Sequence, residues 1–227
     1  AAGGAGLVTL HVRPDIWQAA ASSLAGELVR PLPPDPADLD LDRARAAVAG
    51  PGWGRDGIAA TVLRRLWDSP VPLVLDADAL SLLRDLDLPA RVSPLVLTPH
   101  PGEAERLSGR PAADFLRSPE ETLPDLCRRW GAVIVLKTPV TWIATPDGTF
   151  AVLDGMDGSL AVGGSGDVLA GLCGALLARG LGPFDAARAA VLAHGRAGAE
   201  ARRALGHYGA EALPGFAAKV LGGLHGQ

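Results

Sequence analysis

The feature that most constrains the fold is a regular alternation of short apolar runs with longer amphipathic stretches. Amphipathic stretches such as residues 58–67 and 123–130 lie between the earlier runs. Strands that alternate with helices at this spacing form βαβ units and a mostly parallel sheet that helices cover on both faces. The sequence therefore predicts an α/β fold. The apolar runs are residues 7–12, 46–49, 72–75, 95–97, 133–136, 142–144 and 150–153.

Parts of the chain depart from this alternation. The last two apolar runs flank Thr-Pro-Asp-Gly at 145–148, a turn signal that predicts a β-hairpin near the sheet edge. Residues 30–42 are rich in proline and aspartate, which predicts a surface loop. After residue 165 the pattern is almost purely helical. One predicted helix runs from about residue 165 to 177, and two more span 183–205 and 210–224.

The composition excludes several classes of protein. With 227 residues and a net charge of −4, the chain is expected to form one domain and to bind neither nucleic acid nor an anionic membrane. No apolar run reaches the roughly 20 residues that a membrane span needs, and residues 1–6 lack the basic start of a signal peptide. Cys127 and Cys173 lie in apolar stretches and indicate buried thiols. We therefore expect a cytoplasmic protein.

The strongest chemical signal is the run Gly-Gly-Ser-Gly-Asp at 163–167, which opens a predicted helix. Glycines let a loop approach an anion closely, and the helix start offers free N–H groups and a partial positive charge. Asp167 places a carboxylate at the mouth of this site. The alternative is that Asp167 only complements the helix dipole. The pattern fits neither a nucleophile elbow nor a P-loop.

A second glycine-rich segment spans residues 50–57. Gly52, Gly54 and Gly57 have the spacing of a dinucleotide-binding fingerprint, and Asp76 ends a strand about 20 residues later. A tight turn between strand and helix explains the same glycines, so both interpretations stay open. The glycines of 3–6 precede a strand, and we interpret them as a closely packed turn.

Further candidates lie where predicted strands end. His100 sits in a loop stiffened by two prolines, and Glu103 falls in the next helical turn, where it could also serve the helix dipole. Asp76 and Asp78 follow another strand, where one of them could simply cap a helix. Lys137 leaves a buried strand and could reach a phosphate or extend to solvent.

The histidines form no metal-ligand pattern. His194 is expected to be a core residue on an apolar helix.

Taken in order, these segments resemble the ADP/ATP-dependent NAD(P)H-hydrate dehydratase family, a branch of the ribokinase-like superfamily. The resemblance covers nearly the whole chain, and Thr-Pro-His-Pro-Gly-Glu combined with Gly-Gly-Ser-Gly-Asp is specific. It implies a ribokinase-like three-layer α/β/α fold with a mostly parallel central sheet. The matching segments are 4–9, 50–54, 75–80, 98–103, 135–137 and 163–171.

The resemblance implies a repair reaction in which ADP or ATP drives dehydration of the 6S hydrate of NADH or NADPH. Positions that match Gly52, Gly54 and His100 contact the hydrated dinucleotide in that family, and Asp167 stands at the position of the catalytic base. Glu103 matches a residue that organises Mg²⁺ through water in related kinases. The adenine nucleotide is expected at Lys137, Thr138, Pro139, Val140, Thr141, Gly164, Ser165 and Gly166.

The sequence departs from the family in two places. Thr138-Pro139 follows Lys137 where the family usually has glycine, and proline removes one backbone N–H, so nucleotide affinity or preference is expected to differ. Family members also carry a first strand and a glycine-rich loop ahead of the segment that matches 4–9. The resemblance therefore implies a single domain over 1–227 that is N-terminally incomplete and lacks the first strand. We also expect a homo-oligomer, fused to or paired with an NAD(P)H-hydrate epimerase domain.

Other functions fit parts of the same pattern. A ribokinase-like kinase for a sugar or vitamin precursor would share Asp167 and the anion-binding loop, although many such kinases have asparagine where His100 stands. A catalytically silent nucleotide-binding module would fit the missing first strand and Thr138-Pro139.

Overall fold

The centre of the fold is a six-stranded sheet, here in a computed structural model that describes residues 2–24, 26–154 and 158–223. Its strands follow one another in chain order, β3-β4-β5-β6-β7-β8. The strands of the described chain are β1 (Thr9–Val12), β2 (Leu28–Pro31), β3 (Ala47–Ala49), β4 (Leu73–Leu75), β5 (Leu95–Leu97), β6 (Val133–Leu136), β7 (Val140–Ala144) and β8 (Phe150–Asp154). The helices are α1 (Trp17–Ser23), α2 (Gly57–Trp67), α3 (Asp78–Asp85), α4 (Pro101–Ser108), α5 (Ala112–Arg117), α6 (Pro119–Trp130), α7 (Ser165–Ala178), α8 (Pro183–Leu205) and α9 (Leu213–Gly223).

The direction of the strands confirms the predicted topology. Strands β3 to β6 are parallel, with Leu73 opposite both Ala47 and Leu95. Strands β7 and β8 run antiparallel and close the sheet edge as the hairpin that the turn signal at 145–148 predicts. The mostly parallel sheet with an antiparallel edge is therefore confirmed.

The central strands are apolar on every residue because both of their faces are covered. Leu73 and Leu75 of β4 point into a core beneath α2, α3 and α6, while Val74 packs into a second core against α7, α8 and α9. The same alternation holds for β6, where Ile134 joins the first core and Val135 the second. The three-layer α/β/α architecture is thus confirmed by which residues share each core.

The predicted strand at 7–12 lies outside this sheet. Its residues Thr9–Val12 pair in parallel with Leu28–Pro31 as a separate two-stranded sheet. The prediction of a loop from residue 30 is therefore wrong for its first two residues. Proline is tolerated at Pro31 because it ends an outer strand, where the ladder does not need its missing N–H. Helices α1 and α5 were not predicted.

Most helix predictions are confirmed. Helix α8 spans Pro183–Leu205 as expected, whereas the last predicted helix begins with a 3₁₀ turn at Ala210–Ala212 and continues as α9. None of the described helices combines the length and the apolar character that crossing a membrane requires.

Candidate active site

The carboxyl ends of the parallel strands form one continuous edge, and backbone hydrogen bonds extend the ladder beyond the strands. The N–H of Asp76 donates to Ala49 O, the N–H of Thr98 to Leu75 O, and the N–H of Lys137 to Pro99 O, at 3.1, 3.1 and 2.8 Å. The residues that follow β3, β4, β5 and β6 are therefore fixed side by side. Ligands of open α/β sheets bind at this edge.

A buried charge cluster occupies the middle of the edge. Lys137 Nζ lies 2.5 Å from Asp76 Oδ1 and 3.8 Å from Glu103 Oε2. The Asp76 side chain is 2% exposed and that of Glu103 is 8% exposed. The Lys137 side chain is 22% exposed, so the lysine is still accessible from the solvent side. Charged groups buried to this extent are stable only when paired. The cluster thus presents one cation held by two carboxylates.

The turn after β4 is strained. Ala77 has φ +49° and ψ −120°, and it is the only non-glycine residue with a positive φ in the described chain. Residues with a Cβ are disfavoured there by about 1–3 kcal/mol. The neighbours of Ala77 are Asp76, which pairs with Lys137, and Asp78, which accepts a hydrogen bond from the N–H of Gly54 at 2.9 Å. The strained turn therefore directs two consecutive carboxylates to two different partners.

Ala77→Gly is expected to raise the free energy of unfolding by about 1 kcal/mol, because relief of about 1–3 kcal/mol of strain exceeds the roughly 0.5–1 kcal/mol that glycine costs in the unfolded chain. Equilibrium unfolding in urea measures this difference. The control is Ala113→Gly in helix α5, which is expected to lower stability by about 0.5–1 kcal/mol. Equal losses of stability in the two variants would contradict the assignment of strain to Ala77.

His100 caps helix α4. Its Nδ1 accepts hydrogen bonds from the N–H groups of Gly102 and Glu103, at 3.0 and 3.3 Å, and the N–H of His100 donates to Glu103 Oε2 at 2.8 Å. Because Nδ1 is an acceptor, the neutral ring carries its proton on Nε2. The side chain is 50% exposed. His100 therefore offers an N–H donor, of fixed tautomer, at the rim of the site.

The 163–167 loop begins helix α7 next to the charge cluster. Gly164 has φ +86° as the residue before the helix, and a methyl group on Gly166 would lie 3.4 Å from Lys137 Nζ and 3.7 Å from Asp76 Oδ2. Ser165 N–H donates to Val162 O at 3.2 Å. Within the described chain, the N–H groups of Gly164 and Gly166 have no acceptor. Two free N–H groups beside a lysine form a site for a phosphate.

Asp167 is the third residue of helix α7 and is exposed. Partial burial raises the pKa of its carboxyl group above the usual value, and the negative charge of Asp76 raises it further, while Lys137 lowers it. A carboxylate with a raised pKa is a better proton acceptor. A general base at this position would stand one residue beyond Gly166 and the phosphate site.

The 50–57 loop is held in place by hydrogen bonds and close packing with its neighbours. The N–H of Gly54 donates to Asp78 and the N–H of Trp53 to Gly50 O. Gly50 has φ +126°, and a methyl group on it would lie 1.7 Å from Asp76 O. Gly52 has φ +64° and no neighbouring atom within 4 Å of its ideal Cβ position. Position 50 therefore needs glycine because the chain packs closely there. At Gly52 the backbone has free space through which a ligand could approach it.

The predicted nucleotide-binding segment is the tight β6–β7 connection. Thr138 Oγ donates to Val140 O, and Thr141 Oγ donates to Thr138 O at 3.5 Å. Pro139 is exposed at the tip, and Val140 and Thr141 begin β7. These bonds within the connection fix it directly beside Lys137.

His194, Cys127 and Cys173 are buried, as the sequence predicts. His194 of α8 is buried, and its Nε2 has no hydrogen-bond partner in the described chain. Burial lowers the pKa of His194 to about 4, although a hydrogen bond to the Ser165 backbone raises it, so the imidazole is neutral near pH 7. Burial raises the pKa of Cys127 and Cys173 to about 12, and both thiols are free. The cysteines are therefore not nucleophiles.

The described residues contain no group of three histidine, cysteine, aspartate or glutamate side chains that could hold a metal ion. The carboxylates of Asp76 and Glu103 lie beside the phosphate site, where Asp76 pairs with Lys137 and Glu103 lies 3.8 Å from it. Magnesium commonly binds through one or two carboxylates, water and substrate phosphates. The donor set thus fits Mg²⁺ that arrives with a nucleotide.

Comparison with known proteins decides the family. The family model for NAD(P)H-hydrate dehydratase matches residues 1–215. The chain belongs to the NAD(P)H-hydrate dehydratase family. It is 36% identical over 194 residues to the bifunctional NAD(P)H-hydrate repair enzyme Nnr of Escherichia coli K12, an alignment that covers 86% of this chain and 37% of that protein. The chain spans about two fifths of the length of the curated relatives it matches.

Solved structures agree with this assignment. The ADP/ATP-dependent NAD(P)H-hydrate dehydratase from Bacillus subtilis, co-crystallised with ATP and Mg²⁺ and soaked with CoA, has a TM-score of 0.84 and 28% identity, covering 96% of this chain and 82% of that chain. A ribokinase-like superfamily protein from Enterococcus faecalis has a TM-score of 0.85 at 22% identity, covering 97% of this chain and 78% of that chain. The second likeness confirms the ribokinase-like fold.

The structure thus brings most predicted residues of this dehydratase family member together. His100, Glu103, Lys137 and Gly166 form a continuous line of contacts, and Asp167 follows Gly166. Sequence reasoning named Asp76 and Asp78 as candidates without finding their partners Lys137 and Gly54, and it assigned His194 to the core. The run Leu-Asp-Ala-Asp at the end of a strand was the available signal for the first two. No local signal marks His194, because its contact with Ser165 joins two helices.

Proposed function

We propose that this chain dehydrates the 6S hydrates of NADH and NADPH to NADH and NADPH, coupled to hydrolysis of ADP or ATP. The observation that carries the proposal is the junction of Gly166, Lys137 and Asp76, where a helix start suited to phosphate meets a buried ion pair. Asp167 lies one residue beyond this junction. Membership of the dehydratase family supplies the substrate class.

Asp167 accepts the proton of the ring hydroxyl while the hydroxyl oxygen attacks the terminal phosphorus of the nucleotide. The bond from that phosphorus to its bridging oxygen breaks. The nucleotide product is AMP when ADP reacts and ADP when ATP reacts. The lone pair of the ring nitrogen then expels phosphate as the ring C–O bond breaks. Loss of a proton from the neighbouring ring carbon restores the dihydronicotinamide, so the elements of water have left the substrate.

The phosphoryl group lies between the N–H groups of Gly164 and Gly166 and the ammonium group of Lys137. These donors are already in place before the reaction, so they stabilise the charge that develops on the transferred group. The adenine nucleotide continues along the connection from Thr138 to Thr141. Pro139 offers no N–H there, so we expect nucleotide contacts from its neighbours instead.

The hydrated dinucleotide lies on the other side, against Gly52, Gly54 and the Nε2–H of His100. Gly52 leaves room for close approach, and His100 donates a hydrogen bond. A magnesium ion would be held by the nucleotide phosphates and, through water, by Glu103, and it would screen the phosphate charge. Lys137 pairs with Asp76 and lies 3.8 Å from Glu103 beside it.

Some properties of the surrounding system belong to the same proposal. We expect an NAD(P)H-hydrate epimerase, fused or separate, to supply the 6S hydrate, since the curated relatives are named bifunctional. We expect a homo-oligomer because Leu7, Ile16, Trp17 and Leu28 are exposed apolar side chains in one part of the chain. The two buried free thiols suit the reducing cytoplasm.

The test mixes the protein with hydrated NADH and ADP or ATP and follows the return of dihydronicotinamide absorbance. We expect recovery with nucleotide and none without it. Phosphate transfer to a sugar or vitamin alcohol, with no recovery of NADH, would instead establish a kinase. Tight ADP binding without turnover of either kind would establish a nucleotide-binding module.

A further inference from the structure

The 50–57 loop is braced from two sides. On one side, Arg13, just after β1, donates from Nη2 to Asp56 Oδ2 at 2.6 Å and to Trp53 O at 3.4 Å. On the other side, Asp78 Oδ2 accepts the N–H of Gly54 at 2.9 Å. Arg55 Nε lies 3.8 Å from Asp78 Oδ1. The loop is thus tied at its middle by a side chain of helix α3.

The brace from Asp78 is connected to the phosphate end of the site. Asp78 is separated from Asp76 only by the strained Ala77, and Asp76 pairs with Lys137. Gly50, at the start of the loop, packs directly on Asp76 O. The turn at 76–78 therefore contacts the loop at two points and the lysine at a third. Within this turn Asp78 holds the loop, and Asp76 holds the lysine.

The loop needs such a brace because its backbone is unusually free. Gly50, Gly52 and Gly54 all have positive φ, and glycine loses more conformational freedom on ordering than any other residue. A ligand that must order a loose loop binds more weakly, since ordering costs part of the binding free energy. Gly52 has open space at its Cβ position, and Arg13 and Asp78 supply polar anchors on either side of it.

We propose that Asp78 is a positioning residue that holds the 50–57 loop ready for the hydrated dinucleotide, and so sets affinity for that substrate without affecting affinity for the adenine nucleotide. This inference rests on the proposed function. The proposed place of the adenine nucleotide is beside Lys137 and helix α7, and among the described residues Asp78 pairs with Gly54 and Arg55 instead. The proposal therefore separates two affinities that a general loss of stability would lower together.

The test measures binding of ADP and of hydrated NADH, each alone, to the wild-type chain and to Asp78→Ala, Asp78→Asn and Asp85→Ala by isothermal titration calorimetry. Asp78→Ala is expected to bind hydrated NADH about 10-fold more weakly and ADP within about twofold of wild type, because one hydrogen bond to a charged acceptor is lost. Asp78→Asn keeps an acceptor oxygen and is expected to recover most of the affinity. Asp85→Ala removes an exposed carboxylate from the same helix and is expected to change neither affinity.

Steady-state kinetics give a second measurement. Asp78→Ala is expected to raise KM for hydrated NADH about 10-fold while kcat stays near wild type, since the phosphoryl-transfer groups are untouched. Unchanged binding of hydrated NADH by Asp78→Ala, or an equal loss of affinity for both ligands, would overturn the inference and leave the proposed function intact. A wild-type chain that binds no hydrated NADH would instead overturn the proposed function, and the inference with it.

Discussion

Replacing Asp167 by asparagine is expected to lower kcat on the order of 10³-fold, within the range that a general base contributes. The amide keeps the shape of the side chain but does not take the proton of the ring hydroxyl. Binding of ADP is expected to persist, because Gly164, Gly166 and Lys137 are unchanged. Single-turnover kinetics and calorimetric titration with ADP measure the two quantities separately.

Asp185→Asn is a closely matched control. Asp185 is the third residue of helix α8 as Asp167 is of helix α7, and it is exposed and pairs with Arg188, its neighbour one turn along. Both substitutions remove an acid that complements a helix dipole, which is worth about 0.3–1 kcal/mol. Asp185→Asn is expected to leave kcat unchanged. If Asp167→Asn also left kcat unchanged, Asp167 would be a helix-dipole residue and nothing more.

The pH dependence of wild-type kcat follows from the same carboxyl group. Partial burial and Asp76 raise the pKa of Asp167, and the base acts only when ionised. Activity is therefore expected to fall as the pH drops through this raised pKa, at a higher pH than an unperturbed aspartate would give. A pH profile without such an acid limb would argue against Asp167 as the base.

Much of the fold could be predicted because burial on both sides of a parallel sheet leaves a local signature. Strands β4, β5 and β6 are apolar at every residue and are bounded by polar or turn residues, so three or four residues suffice to locate each. Strand β2 has the sequence Leu-Val-Arg-Pro, and only its valine is partly buried. Its pairing with β1 depends on a contact between distant segments, which no local pattern reveals.

The candidate site divides in the same way. The 163–167 loop and His100 are recognisable from sequence because glycine and proline fix the backbone where they stand. The pairing of Asp76 with Lys137 joins residues 61 positions apart, and it follows from the order of strands in the sheet. Gly54 was expected to contact the dinucleotide, and in the structure its N–H donates to Asp78. The glycine spacing alone could not distinguish these two partners.

The largest effects on stability are expected from the Asp76–Lys137 pair. Lys137→Met removes the cation that pairs with Asp76, whose side chain is only 2% exposed. It is expected to lower the free energy of unfolding by about 3 kcal/mol. This is the low end for a broken buried pair, because Lys137 is partly exposed. Asp76→Asn is expected to cost about 1 kcal/mol, since the ammonium group can turn to water. Equilibrium unfolding in urea measures each difference.

The double variant Asp76→Asn/Lys137→Met is expected to be more stable than Lys137→Met alone, with a coupling free energy of about 2 kcal/mol, because no buried charge is left unpaired. The exposed pair Asp185–Arg188 is the control, and its cycle of Asp185→Asn and Arg188→Met is expected to give a coupling below about 0.5 kcal/mol. All four site and control single variants can be compared at one pH. A coupling at Asp76–Lys137 no larger than in the control would mean that water reaches Asp76. The lysine would then be placed at the phosphate by other contacts, and the buried pair would not be what holds it there.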